Sequence, residues 1–123
     1  MIISKQARMK ESKLMPNDVV LLGNGSGARV VRVGDISSVE ISGNYMSVRT
    51  SDGQSVTARG SLASCEERFP ASFFRAGRNH FVNLAEVAKA NMATRKIELE
   101  MKDGTLITMS RIASTLFRKQ FSL

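Results

Sequence analysis

Ile97-Glu98-Leu99-Glu100-Met101 alternates apolar and acidic residues, and Lys102-Asp103-Gly104 then turns the chain into Thr105 to Met109. A period of two puts Ile97, Leu99 and Met101 on one face, the pattern of a half-buried strand. Asp-Gly supplies the positive backbone angle that a tight hairpin needs, so the segment predicts an antiparallel pair. The same grammar recurs upstream. Asp18 to Leu22 and Arg29 to Val33 are β-branched runs joined by Gly23-Asn24-Gly25-Ser26-Gly27, which reads as a hairpin connection. Ile36 to Ile41 and Tyr45 to Arg49 are broken by Ser42-Gly43-Asn44, and Ser51-Asp52-Gly53 turns the chain into Gln54 to Arg59.

Helical spacing appears twice. Ser61 to Phe69 carries Leu62, Cys65 and Phe69 on one stripe, with Pro70 just beyond. Ser110 to Gln120 places Ile112, Leu116 and either Phe117 or Gln120 at helical intervals, with Ser110 suited to be the N-cap. Strands dominate, and the expected fold is mostly β: an elongated antiparallel domain with two short helices. Residues 1–16 differ from the rest, mixing Lys5, Arg8, Lys10 and Lys13 with Met1, Met9, Leu14 and Met15. They are expected to be a basic arm or linker, and residues 17–123 the domain.

Length and composition bound the function. At 123 residues and 42% hydrophobic content the chain suits one globular domain. With 18 Lys+Arg against 11 Asp+Glu, its formal charge of +7 favours a polyanionic partner. No apolar run approaches the roughly 20 residues that span a bilayer, so no membrane insertion is expected. The charged N-terminus lacks a signal core, and a single cysteine excludes an internal disulfide framework; both predict a cytoplasmic protein. His80 and Cys65, one of each type, cannot form a Cys/His metal site, and Cys65 on an apolar helix face reads as an inert thiol. The glycine-rich run at Gly23 lacks the lysine and following helix of a phosphate loop. Neither enzyme activity nor a cofactor or metal is expected.

The arginines carry more. Arg78 stands in the Gly77-Arg78-Asn79 turn before an apolar segment, and Arg111 begins the last helix after a strand. An arginine fork matches guanine O6 and N7, and Gly77 permits close approach of the backbone. An arbitrary surface arginine is more often simply solvated, so the residues alone leave that alternative open.

The order of motifs resembles the LytTR family, the DNA-binding domain of many bacterial response regulators. The resemblance rests on Phe73-Phe74-Arg75, the Arg78 turn, the segment ending Val82-Asn83, and Ser110-Arg111. Asp35-Ile36 leading to Glu40, Gly43-Asn44-Tyr45, Asp52-Gly53 and the Leu62 to Phe69 helix support it, over roughly residues 17–122. It implies an antiparallel β fold and regulation of transcription by sequence-specific binding to promoter DNA. Loop residues would enter successive major grooves, with two copies on direct-repeat half-sites and bent DNA. It implies base contacts from Arg78 and Arg111, and a third contacting loop at Asn44 and Tyr45; Tyr45 can equally be a core residue at a strand edge. Arg59, Arg75 and Asn79 are expected to support phosphates. Many family members have His-Arg-Ser where this chain has Gly77-Arg78-Asn79, so one histidine contact is missing, and His80 is expected to pack as an aromatic. The family usually follows a receiver domain, but only residues 1–16 precede this fold. That suggests a stand-alone regulator, governed by its level or by a partner protein, or an excised domain. The rival reading is a basic β-rich module that binds RNA or an acidic protein.

Overall fold

The computed structural model describes residues 13–23 and 26–122. Among the described residues ten strands form three sheets, every pairing antiparallel. β1 (Val19–Gly23) and β2 (Ala28–Arg32) make a hairpin. β3 (Ile36–Ser42), β4 (Tyr45–Thr50), β5 (Ser55–Arg59), β6 (Phe73–Gly77) and β7 (His80–Asn83) form a sheet in the order β5-β4-β3-β7-β6. β8 (Val87–Asn91), β9 (Glu98–Met101) and β10 (Leu106–Thr108) form the third, in the order β10-β9-β8. α1 (Leu62–Arg68) connects β5 to β6, and α2 (Arg111–Phe121) closes the described chain. The mostly antiparallel β domain expected from the sequence is what forms. β8 was not among the expected strands.

Turn chemistry explains the hairpins. Gly53 and Gly104 adopt φ of +86° and +90°, and in each turn the preceding aspartate accepts from the backbone N–H two residues on, Gln54 or Thr105. Gly43 has φ of +62° at the first centre of the two-residue β3–β4 turn, the position where a II′ turn needs glycine.

The five-stranded sheet is buried on one face along its length and on the other only in part. On the first face Val39, Ile41, Val48, Ala58, Phe73 and Phe81 pack beneath α1 and the β1–β2 hairpin, with Cys65 from the α1 stripe. On the second, Ala76 and Val82 pack with Ile97, Leu99, Met101 and Met109. The β6–β7 hairpin is thus buried on both faces, at roughly 1.5–3 kcal/mol for each large apolar side chain removed from water.

Two polar clips fix the layers. Buried Asn83, the last residue of β7, donates to Ile36 O at 2.9 Å and accepts from Ala85 N–H at 3.1 Å. Buried Ser114 accepts from Ile97 N–H at 2.9 Å, which seats α2 on the third sheet.

The stripe predicted for α2 is corrected by the structure. Ser110 caps the helix as expected, accepting from Ala113 N–H at 3.1 Å. The inward face, however, is Ala113, Ser114 and Phe117, while Ile112 and Leu116 are exposed. Small residues let the helix approach closely, and Phe117 stacks edge-on against Phe74 at 5.5 Å. That aromatic contact fixes the helix rotation. Of the expected basic arm, residues 13–16 are seated on the domain: Leu14 N–H bonds Arg68 O at 2.7 Å, and Gly34 N–H bonds Pro16 O at 2.8 Å. Residues 1–12 lie outside those described.

Candidate nucleic-acid interface

Strand register brings the predicted residues to one end of the five-stranded sheet. β3 ends with Ser42 opposite Tyr45 on one side and has Glu40 opposite His80 on the other. Tyr45 in turn lies opposite Arg59, and Gly77 opposite His80. The end of β5, the β3–β4 turn and the β6–β7 turn therefore share one edge. Backbone bonds lock them together: Gly60 N–H to Asn44 O at 2.9 Å, and Ile41 N–H to Asn79 O at 2.8 Å. Arg111 joins them through a β-bulge. The β6–β7 register slips between Arg75 and Gly77, leaving Ala76 unpaired in the ladder, and Ala76 O accepts from Ser110 N–H at 2.9 Å. Bulges of this kind re-aim neighbouring side chains. Here one also docks the first turn of α2 beside the Arg78 turn.

Arg78, Asn79, Arg111 and Asn44 are exposed. Tyr45 is 47% exposed, so it is not a core residue. Its ring lies under the Arg59 guanidinium at 5.6 Å, a cation–π pair that presents both side chains on the sheet end. Gly77 has no left-handed angle, and a Cβ there would meet only His80 Cβ at an ordinary 3.8 Å. The chain itself does not require a glycine at this position.

Arg75 is placed differently from its neighbours. Its Nε donates to Arg78 O at 3.1 Å and to Gly77 O at 3.3 Å, and Nη2 donates to Arg78 O at 2.6 Å. Nη1 pairs with Glu66 Oε2 of α1 at 2.8 Å. Three of the five guanidinium N–H groups are engaged inside the chain, bracing the turn that carries Arg78. Sequence reading grouped Arg75 with the phosphate contacts because nothing local shows that its fork folds back on the next turn. A further cation joins the site: Lys96 shares a groove with Ser110, Arg111, Ile112 and Thr115. Arg118 holds the preceding loop, donating to the carbonyls of Met92, Thr94 and Arg95. No sequence signal marked either residue.

Cys65 and His80 lie apart. Cys65 lines an apolar cavity with Met46 and Phe69, and burial pushes its thiol pKa up. His80, half-buried, lines a groove with Glu40, Ser47 and Arg49. The two residues line separate cavities. Among the described residues no three His, Cys, Asp or Glu side chains could hold a metal ion, and no helix is long and apolar enough to cross a membrane.

Arginines displayed from several turns give one end of the sheet a basic edge. The LytTr DNA-binding domain model matches residues 26–122. This chain belongs to the LytTR family of DNA-binding domains, found in transcription regulators of the response-regulator type. Among solved structures it is similar to the LytTr DNA-binding domain of a protein from Bacillus cereus described as a methyl-accepting/DNA response regulator. That domain is 24% identical with a TM-score of 0.75, over 85% of this chain and 97% of the other. At that identity the likeness speaks to the fold. No curated protein matches the chain.

Proposed function

We propose that the domain binds promoter DNA sequence-specifically by placing the turns of its sheet end in successive major grooves. The observation that carries this is the convergence of Arg78, Arg111, Asn44 and Arg59 on one edge through strand register, the Ala76 bulge and three backbone hydrogen bonds. A base reader must be held rigidly, and Arg78 stands on the hairpin buried from both sides. Arg78 and Arg111 each read a guanine, Asn44 and Tyr45 contact the neighbouring loop position, and Arg59 and Asn79 bind phosphates. Arg75 contributes by holding the Arg78 turn. Gly77 carries no side chain, so a phosphate or groove wall has room to approach the backbone there closely. Two copies bind direct-repeat half-sites, and the cytoplasm is the place of action.

The test is selection of bound duplexes from a random library, followed by titration of the selected and a scrambled duplex at several salt concentrations. A repeated half-site with at least about 10³-fold preference over random DNA supports the reading. Equal binding to all duplexes, or tighter binding to RNA or to an acidic protein, overturns it.

A further inference from the structure

Helix α2 exposes an apolar row that no other part of the described chain covers. Ile112 is 78% exposed and Leu116, one turn later, 47%. Single exposed aliphatic residues are ordinary on protein surfaces, so exposure alone decides nothing. The surroundings do. Ile112 lies on the rim of two grooves that flank the start of the helix. One contains Lys96 and Arg111, and the other Arg75, Arg78 and Leu116. The two grooves are lined by Lys96, Arg111, Arg78 and Arg75, the last paired with Glu66 outside the groove, and by no carboxylate. Along the helix, the row Arg111–Thr115 runs beside the row Ile112–Leu116, one polar and one apolar, both facing out.

A cationic rim around an aliphatic side chain fits a polyanion that carries small apolar groups of its own. Duplex DNA is such a polyanion: the thymine 5-methyl is the apolar group on the major-groove edges. Arg111 and Ile112 are the first two residues of α2, about 100° apart around its axis and both exposed. They line one groove together, so a major groove entered by this helix end would meet a guanidinium and a hydrocarbon side by side.

We propose that Ile112 is a specificity-determining residue that reads a thymine methyl group next to the base contacted by Arg111. This rests on the DNA-reading role of the sheet end and adds to it a second kind of readout, by apolar contact.

The experiment uses the selected duplex. Each thymine of a half-site is replaced in turn by deoxyuridine, which removes the methyl group and leaves every hydrogen-bonding atom in place. Affinities are measured for the wild-type chain, Ile112→Ala and Arg111→Ala. One replacement should weaken wild-type binding about fourfold, the usual cost of exposing one buried methyl-sized group. The same replacement should leave Ile112→Ala unchanged, while Arg111→Ala keeps the methyl response. Alanine favours the helix, so an unaltered Tm confirms that Ile112→Ala is folded. A selected duplex that is still preferred over random DNA but shows no methyl-sensitive thymine overturns this inference and leaves the proposed function standing. Full methyl sensitivity in Ile112→Ala overturns it equally. If no duplex is preferred at all, both readings fall.

Discussion

Replacing Arg75 tests whether the Arg78 turn is braced from within or Arg75 itself touches DNA. Its guanidinium makes three contacts with the carbonyls of Gly77 and Arg78 and an ion pair with Glu66, while the side chain is 38% exposed. A charged hydrogen bond contributes about 1.5–3 kcal/mol when buried. An exposed ion pair contributes about 0–1 kcal/mol. With more than a third of the side chain in water, we expect Arg75→Ala to cost about 1 kcal/mol of stability. That lowers the Tm of a domain this size by about 4 °C. The larger effect falls on recognition. Once the turn is unbraced, Arg78 must be ordered at the moment of binding, and most of its roughly 1–3 kcal/mol of base discrimination is lost. Arg75→Ala should therefore resemble Arg78→Ala on the selected duplex and change little on random DNA. The Arg75→Ala/Arg78→Ala double variant should be scarcely weaker than Arg78→Ala alone, because both act through one contact. Arg75→Lys keeps the charge but loses the fork, and should restore little. Titrations by fluorescence anisotropy across a salt series check this. A phosphate contact would behave otherwise: Arg75→Ala would lower the salt slope by about 0.9, Arg75→Lys would restore binding, and the double variant would be additive. That pattern would refute the bracing argument.

Arg78→Ala and Arg111→Ala are each expected to cost about 1–3 kcal/mol on the selected duplex and far less on random DNA; equal losses on both would leave them as phosphate anchors. Gly77→Ala should leave the Tm unchanged, since its Cβ finds 3.8 Å of room, yet weaken DNA binding; unaltered affinity would show that nothing approaches there. Asn83→Ala strands the buried Ile36 carbonyl and the Ala85 amide. It should cost about 1–3 kcal/mol in a denaturant titration, and a smaller loss would show that water replaces the amide. Burial holds His80 below the usual imidazole range, with Glu40 pulling weakly the other way. The unfolded chain then takes up the proton first, so this stability is complete above the ordinary histidine pKa of about 6.5 and declines as pH falls below it. Tm measured from pH 8 to pH 5 should fall less steeply for His80→Gln than for wild type; superimposable curves would refute the assignment.

Local chemistry was legible in the chain. Asp52-Gly53 and Asp103-Gly104 announced their turns because the required positive backbone angle is affordable almost only to glycine. Ser110 announced a helix start because its hydroxyl can accept from the first turn. The alternation of Ile97, Leu99 and Met101 marked a buried face, and all three are buried. β8 was not legible: Ala88, Lys89, Ala90 and Asn91 have weak strand preference, and pairing with β9 makes them a strand. The rotation of α2 was hidden for a related reason. Periodicity ranks Ile112 and Leu116 as core, but the Phe74–Phe117 contact and the Ser114 clip turn them outward. Residue type and spacing named the arginines that could read DNA, since a guanidinium fork is a property of one side chain. Their meeting at one sheet end, and the turning of Arg75 inward to hold Arg78, depend on register, on a one-residue bulge and on contacts between residues distant in sequence. Those are decided only when the sheet closes, because hydrogen-bonding distance between strands is a property of the folded chain and not of any segment within it.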